Sequence, residues 1–193
     1  MCIGIFVGGA GKRMGGVPKG LLRVPDGSET LIERLLRVCG RAAPGAKLYL
    51  IGQASAYGSL GLSVLPDEPA NIGPMGGLRS LLVRTLADAS SHALALACDL
   101  PFVDERLISA LLLPLSSAAR VPVAEGRLQP LAAAYAPGPT LAAVDRSLAL
   151  GRHALMQALD QLGEGVERLE LDASAALALR DWDTPEDMAG LSH

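Results

Sequence analysis

Residues 6–22 read FVGGAGKRMGGVPKGLL, with six glycines, three cations and no acid. A loop so rich in glycine loses much chain entropy when it orders, and a bound group is the natural compensation. Closely spaced glycines such as Gly8, Gly9 and Gly11 let backbone N–H groups converge on an anion. An arginine can grip phosphate oxygens through two parallel hydrogen bonds, and a lysine adds a compact point charge. Arg13 and Lys19 are therefore candidate phosphate ligands. The competing reading is a solvated surface turn that happens to be basic. The position of the loop directly after an apolar run, and its lack of acids, weigh against that.

The spacing excludes two familiar phosphate loops. Gly11-Lys12 is followed by Arg13, where a Walker A loop needs Ser or Thr, and position 6 is Phe rather than Gly. Gly9-Ala10-Gly11 is followed at the sixth place by Met14, so the dinucleotide fingerprint fails as well.

Asp99, in ACDLPF, follows an apolar run, and Pro101 biases Leu100 toward an extended backbone. That puts a carboxylate at a strand end, and a hard cation such as Mg²⁺ favours one or two carboxylates with phosphates and water. Asp183, in DWDTPEDM, is either a second metal ligand facing Asp99 or a loop acid before a Thr184 helix cap. Cys98 has no acid–base partner in view and reads as a buried thiol. The three cysteines and three histidines show no metal-ligand spacing, so a zinc site is not expected.

These residues must be held by something. Strand-like runs at residues 2–7, 47–51, 63–65, 92–97, 120–124, 128–135 and 166–171 alternate with helical patterns. Helices are expected from the Thr30/Glu33 capping box, from Gly73 to about residue 87, over 105–113 after an Asp104 cap, and over 139–150 and 154–162. Continuous apolar strands between helices imply a mostly parallel sheet covered on both faces, a three-layer α/β/α domain. In such folds ligands bind outside the carboxyl ends of the strands, where the glycine loop and Asp99 both fall. The 193 residues suit a single domain over 1–193. Half are hydrophobic and only 3% aromatic, so Leu, Ala and Val carry the core.

The net charge of −3 argues against a general nucleic-acid binder. Residues 1–25 carry Lys12, Arg13, Lys19 and Arg23 and no acid, leaving 13 basic against 20 acidic side chains elsewhere. A few phosphates match so local a positive charge. No membrane span or signal peptide is expected, and unpaired cysteines point to a cytoplasmic setting.

The stretch GGAGKRMGGVPKGLL resembles the signature of the GT-A-like nucleotidyltransferases, and within them the molybdenum cofactor guanylyltransferase (MobA) family. GPMGGL (73–78), ACDLPF (97–102), QPLAAAY (129–135), GRHALM (151–156) and DWDTPEDM (181–188) resemble later segments of that family, in its order and over nearly the whole chain. The resemblance implies an N-terminal half that binds the nucleotide through Phe6, Val7, Gly8, Gly9, Gly11, Arg13, Lys19, Asp67, Gly73, Gly76 and Asp99. It implies a C-terminal half that binds the acceptor, with Arg152 near its phosphate, and assigns metal binding to Asp99. A turn aspartate before Pro69 remains the plain reading of Asp67.

The activity so implied is Mg²⁺-dependent transfer of GMP from GTP to the phosphate of molybdopterin, releasing pyrophosphate, with Arg13, Lys19 and Asp99 as catalytic residues. Transient contact with a protein that receives the cofactor goes with it. Asp181 and Asp183 stand where the family carries asparagines, a pattern closer to relatives that transfer cytidylyl groups. A cytidylyltransferase, or a sugar- or alcohol-phosphate nucleotidyltransferase of the same fold, thus stays open beside the guanylyl reading, as does a non-catalytic nucleotide-binding protein.

Overall fold

The computed structural model describes residues 1–8, 18–24 and 27–180. Eight strands form one sheet: β1 (Cys2–Phe6), β2 (Lys47–Ile51), β3 (Ser63–Leu65), β4 (Ala93–Ala97), β5 (Ala119–Ala124), β6 (Arg127–Leu128), β7 (Ala132–Tyr135) and β8 (Val166–Glu170). Their order is β3-β2-β1-β4-β7-β5-β6, with β8 also pairing with β5. The β3-β2-β1-β4 half is parallel. β7 runs against both β4 and β5, β6 against β5, and β8 parallel to β5. Only β6 and β7 therefore oppose the common direction, and the mostly parallel three-layer expectation describes the sheet.

Helices α1 (Leu31–Ala42) and α3 (Glu105–Leu111) cover one face, while α2 (Pro74–Ala87), α4 (Pro137–Ala149) and α5 (Leu155–Leu162) cover the other. Strand alternation feeds both layers. Ile3 and Ile5 join the α1/α3 side, and Cys2 and Phe6 join the α2 side.

Local chemistry fixes the helix starts. Thr30 Oγ1 accepts the Glu33 N–H at 3.4 Å, while the Thr30 N–H donates to Glu33 Oε2 at 2.8 Å. This is the reciprocal cap expected before α1. Its hydrogen bonds, first from the Thr30 backbone and then from the Thr30 hydroxyl, lower the Glu33 pKa. Asp104 Oδ1 accepts the Leu107 N–H at 2.9 Å and opens α3.

One expectation is corrected. Residues 128–135 do not form a continuous strand. β5 turns into β6 through Glu125 and Gly126, both at positive φ, but the strand is then interrupted by a turn over Gln129–Ala132, where the Ala132 N–H donates to the Gln129 carbonyl at 3.0 Å. Pro130 has no N–H to give a sheet, and its carbonyl instead accepts the Tyr135 hydroxyl at 2.7 Å. The ladder resumes at Ala132.

Among the described residues no helix is long and apolar enough to cross a membrane.

Candidate functional site

The chain leaves β1, turns through α1 into β2 and β3 on one side, and returns through α2 into β4 on the other side of β1. The β1/β4 boundary is thus the point where strand order reverses, and a crevice opens there beyond the carboxyl ends. Hydrogen bonds carry the parallel ladder past the strands proper. Val7 N–H donates to the Ile51 carbonyl and Cys98 N–H to the Phe6 carbonyl, both at 3.1 Å. Gly8 and Asp99 are in this way delivered to the same rim.

A cleft of about 320 Å³ lies at this rim. Phe6, Val7 and Gly8 form its β1 wall, Cys98 and Asp99 its β4 wall, and Lys19 reaches in from the 3₁₀ turn Lys19–Leu21. Gln129, Pro130 and Leu131, the turn between β6 and β7, form another part of the wall with Leu155 and Leu179. Lys19 Nζ donates to Asp99 Oδ2 at 2.8 Å, and both side chains keep about a fifth of their surface in solvent (20% and 19%). A cation and a carboxylate separated by 80 positions thus meet at the switch point of the sheet.

Asp67 stands beside this cleft rather than in its lining. The position a Gly52 Cβ would occupy is 3.6 Å from Asp67 Oδ1 and 3.5 Å from the Gly8 Cα, so Gly52 separates the aspartate from the β1 rim. Burial raises the Asp67 pKa above the ordinary carboxylate value. Gly76 and Gly77 let the first turn of α2 press on the Asp67 loop: a Cβ on Gly76 would come within 2.2 Å of the Pro69 carbonyl. Gly73, at φ 76°, starts that helix. Both Gly73 and Gly76 shape the loop that holds Asp67, and neither lines the cleft.

Cys98 is 6% exposed, and burial pushes its thiol up to about 12, so it is no nucleophile near neutral pH. Arg152 and His153 are exposed in the α4–α5 connection, outside the cleft lining, while Leu155 two residues on contributes to it. Among the described residues no cluster of three or more His, Cys, Asp or Glu gathers as a metal cage. Gly9, Gly11, Arg13 and Asp183 lie outside the described residues.

A second cleft, of about 750 Å³, shares Gln129 and Leu179 with the first and carries Arg127 and Arg180. The Gln129–Leu131 segment and this second cleft were missed by sequence reasoning. The one available signal was a proline inside an apolar, strand-like run.

A three-layer α/β domain with its cleft at the β1/β4 switch point, and a lysine paired there with a strand-end aspartate, has the layout of an α/β nucleotidyltransferase. The sequence profile of the MobA-like NTP transferase domain matches residues 3–165, and the chain belongs to that family. A molybdenum cofactor guanylyltransferase of Pseudomonas putida is 30% identical over 186 residues, which is 94% of this chain and 92% of that protein. One of a Shewanella species is 32% identical over 112 residues, 56% of this chain, and there the chain spans about half (53%) of the relative's length. The solved structure of a molybdopterin-guanine dinucleotide biosynthesis protein A from Archaeoglobus fulgidus covers 98% of this chain and 96% of that one. Its TM-score is 0.78 at 20% identity, a likeness of fold.

Proposed function

We propose that the chain transfers a GMP group from GTP to the terminal phosphate of molybdopterin and releases pyrophosphate. The observation that carries this reading is the Lys19–Asp99 pair at 2.8 Å in the switch-point cleft. The P. putida and Shewanella relatives are named molybdenum cofactor guanylyltransferases, which supports a guanylyl donor and a molybdenum cofactor acceptor.

Asp99 offers a hard oxygen donor that opens into the cleft, and among the described residues no cluster of further metal-ligating side chains surrounds it. That donor set suits Mg²⁺, which is commonly bound by one or two carboxylates together with substrate phosphates. Asp99, with Asp183 as a second carboxylate, would hold the ion. When bound, it supplies Lewis-acid neutralisation of phosphate oxygens.

The reaction needs no protein nucleophile. The acceptor's phosphate monoester is an anion near neutral pH, and one of its oxygens attacks the α-phosphorus of GTP. That P–O bond forms as the α–β bridging P–O bond breaks, and pyrophosphate leaves with the electron pair. Lys19 exchanges Asp99 for the triphosphate and offsets the charge that grows on the leaving group. Gly8, Gly9, Gly11 and Arg13 hold the same phosphates, and Phe6 and Val7 form the adjoining wall. Asp67, across Gly52, faces the nucleoside side. The cleft with Arg127 and Arg180 continues from the first through Gln129 and receives the acceptor, which sets the two reactants side by side.

Pyrophosphate release from GTP with Mg²⁺ and molybdopterin tests the proposal directly. Absence of release with every nucleoside triphosphate would remove it. A cytidylyl transfer is the second reading, favoured by Asp181 and Asp183 in place of asparagines. Thermal shifts with GTP and CTP in parallel separate the two, because a ligand selective for the folded state raises the midpoint.

A further inference from the structure

Tyr57 belongs to the 3₁₀ turn Ser55–Leu60 between β2 and β3, and only 2% of it is exposed. Its hydroxyl accepts the buried N–H of Gly20 at 3.2 Å. Gly20 follows Lys19 directly, in the same short turn. The two surfaces are in close contact. A Cβ added to Gly20 would stand 2.9 Å from the phenol oxygen and 3.1 Å from Cε1, so only glycine lets the backbone lie on the ring. Burial, and then the neighbouring Cys98 thiol, push the phenol up to about 12, so its proton stays on. Tyr57 shares its core cluster with Cys98, the residue before Asp99 at the end of β4.

The short turn is tied at its far end to the start of α1, where the Leu22 carbonyl accepts the Leu31 N–H at 2.8 Å, and Tyr57 holds it beside Lys19. It is one three-residue 3₁₀ segment, and no side chain caps it. Lys19 has several rotatable bonds beyond a backbone whose direction this turn sets. A hydrogen bond on the very next peptide fixes where that side chain begins.

We propose that Tyr57 is a positioning residue: its hydroxyl holds the Lys19–Leu21 turn so that the Lys19 ammonium reaches the Asp99 cleft. This rests on the reading that Lys19 binds the phosphates of the substrate.

The test is a double-mutant cycle on the intact protein, with Mg²⁺ and inorganic triphosphate as the probe, so that base preference plays no part. Calorimetric affinities are measured for the wild type, Tyr57→Phe, Lys19→Met and the double variant, with thermal midpoints alongside. Tyr57→Phe keeps the ring packing and removes one buried hydrogen bond. Weakening of roughly three- to tenfold is expected with Lys19 present, and no further weakening in the Lys19→Met background. A general loosening of the fold would instead weaken both backgrounds alike, and that result overturns the proposal. Gly20→Ala supplies a second arm: it should weaken binding in the wild type and do less harm in Tyr57→Phe, where the crowding phenol oxygen is gone. A Lys19→Met variant that binds weakly beside a Tyr57→Phe variant that binds like the wild type overturns the positioning role alone. Lys19→Met binding like the wild type, or a wild type that binds no triphosphate, overturns the reading of the cleft and this inference with it.

Discussion

Gly76→Ala sets two effects of opposite sign against each other. Gly76 is the third residue of α2, and replacing a helical glycine by alanine favours the helix by about 1 kcal/mol. Against that, the new methyl would begin 2.2 Å from the Pro69 carbonyl oxygen and 3.2 Å from the Asp67 Cβ. Ordinary contact starts near 3.4 Å, so the loop has to retreat by more than an ångström. The Glu68 N–H donates to the Gly76 carbonyl at 3.2 Å, and that retreat stretches the bond. Overpacking of this kind costs about 1–3 kcal/mol and a strained hydrogen bond about 1 more. The net loss is roughly 1–3 kcal/mol. At about 2–4 °C per kcal/mol for a domain of this size, the midpoint should fall by roughly 2–12 °C. Scanning calorimetry or a circular-dichroism melt reads it. An unchanged or raised midpoint would mean that helix propensity governs this site and that the α2–Asp67 contact is not tight.

Three further substitutions probe other parts of the molecule. Asp88 accepts hydrogen bonds from the Tyr49 hydroxyl (2.5 Å) and from Arg84 and ion-pairs with Lys47, and these partners, Tyr49 first, hold its pKa well below the ordinary range. A depressed carboxylate stabilises the fold above its unfolded pKa and loses that contribution as pH falls, so Asp88→Asn should flatten the decline in melting temperature below about pH 4. Asp67 has the opposite sign: its raised pKa means that the ionised form is penalised in the fold once pH passes the unfolded value. Asp67→Asn should therefore melt slightly higher than the wild type at pH 7 in calorimetry while binding Mg²⁺–GTP more weakly. Arg120, 6% exposed, forms two hydrogen bonds to Glu167 (2.8 and 3.0 Å) and also donates to the carbonyls of Ala110, Leu113 and Pro114, tying the end of α3 to β5 and β8. Arg120→Met strands those acceptors and should cost about 2–4 kcal/mol in chemical denaturation.

Features with strong local causes could be read from the residues alone. The Thr30/Glu33 box and the Asp104 cap are short-range chemistry, and both helices start where that chemistry demands. β1 and β4 are apolar runs buried on both faces, and their carboxyl ends lie at the rim for that reason. Pairings between distant segments leave no such local mark. Nothing near Tyr57 in the sequence points to Gly20, 37 positions away, and nothing in QPLAAAY shows that the chain turns at Gln129–Leu131 to line the cleft. The close approach of α2 was equally hidden, because the glycines of GPMGGL look like a binding loop until Pro69 and Asp67 are seen against them. The placement of Lys19 against Asp99 was half legible: each residue could be assigned to the strand-end rim, but their direct contact is a product of the fold.

The most direct measurement is an anomalous difference map from a crystal holding Mn²⁺ and a non-hydrolysable GTP analogue. The expected result is a metal peak at Asp99, with the triphosphate lying against Gly8 and the Lys19 ammonium turned from the carboxylate to a phosphate oxygen. A nucleotide bound elsewhere, with Lys19 and Asp99 still joined to each other and no metal between them and the phosphates, would contradict the assignment of this cleft.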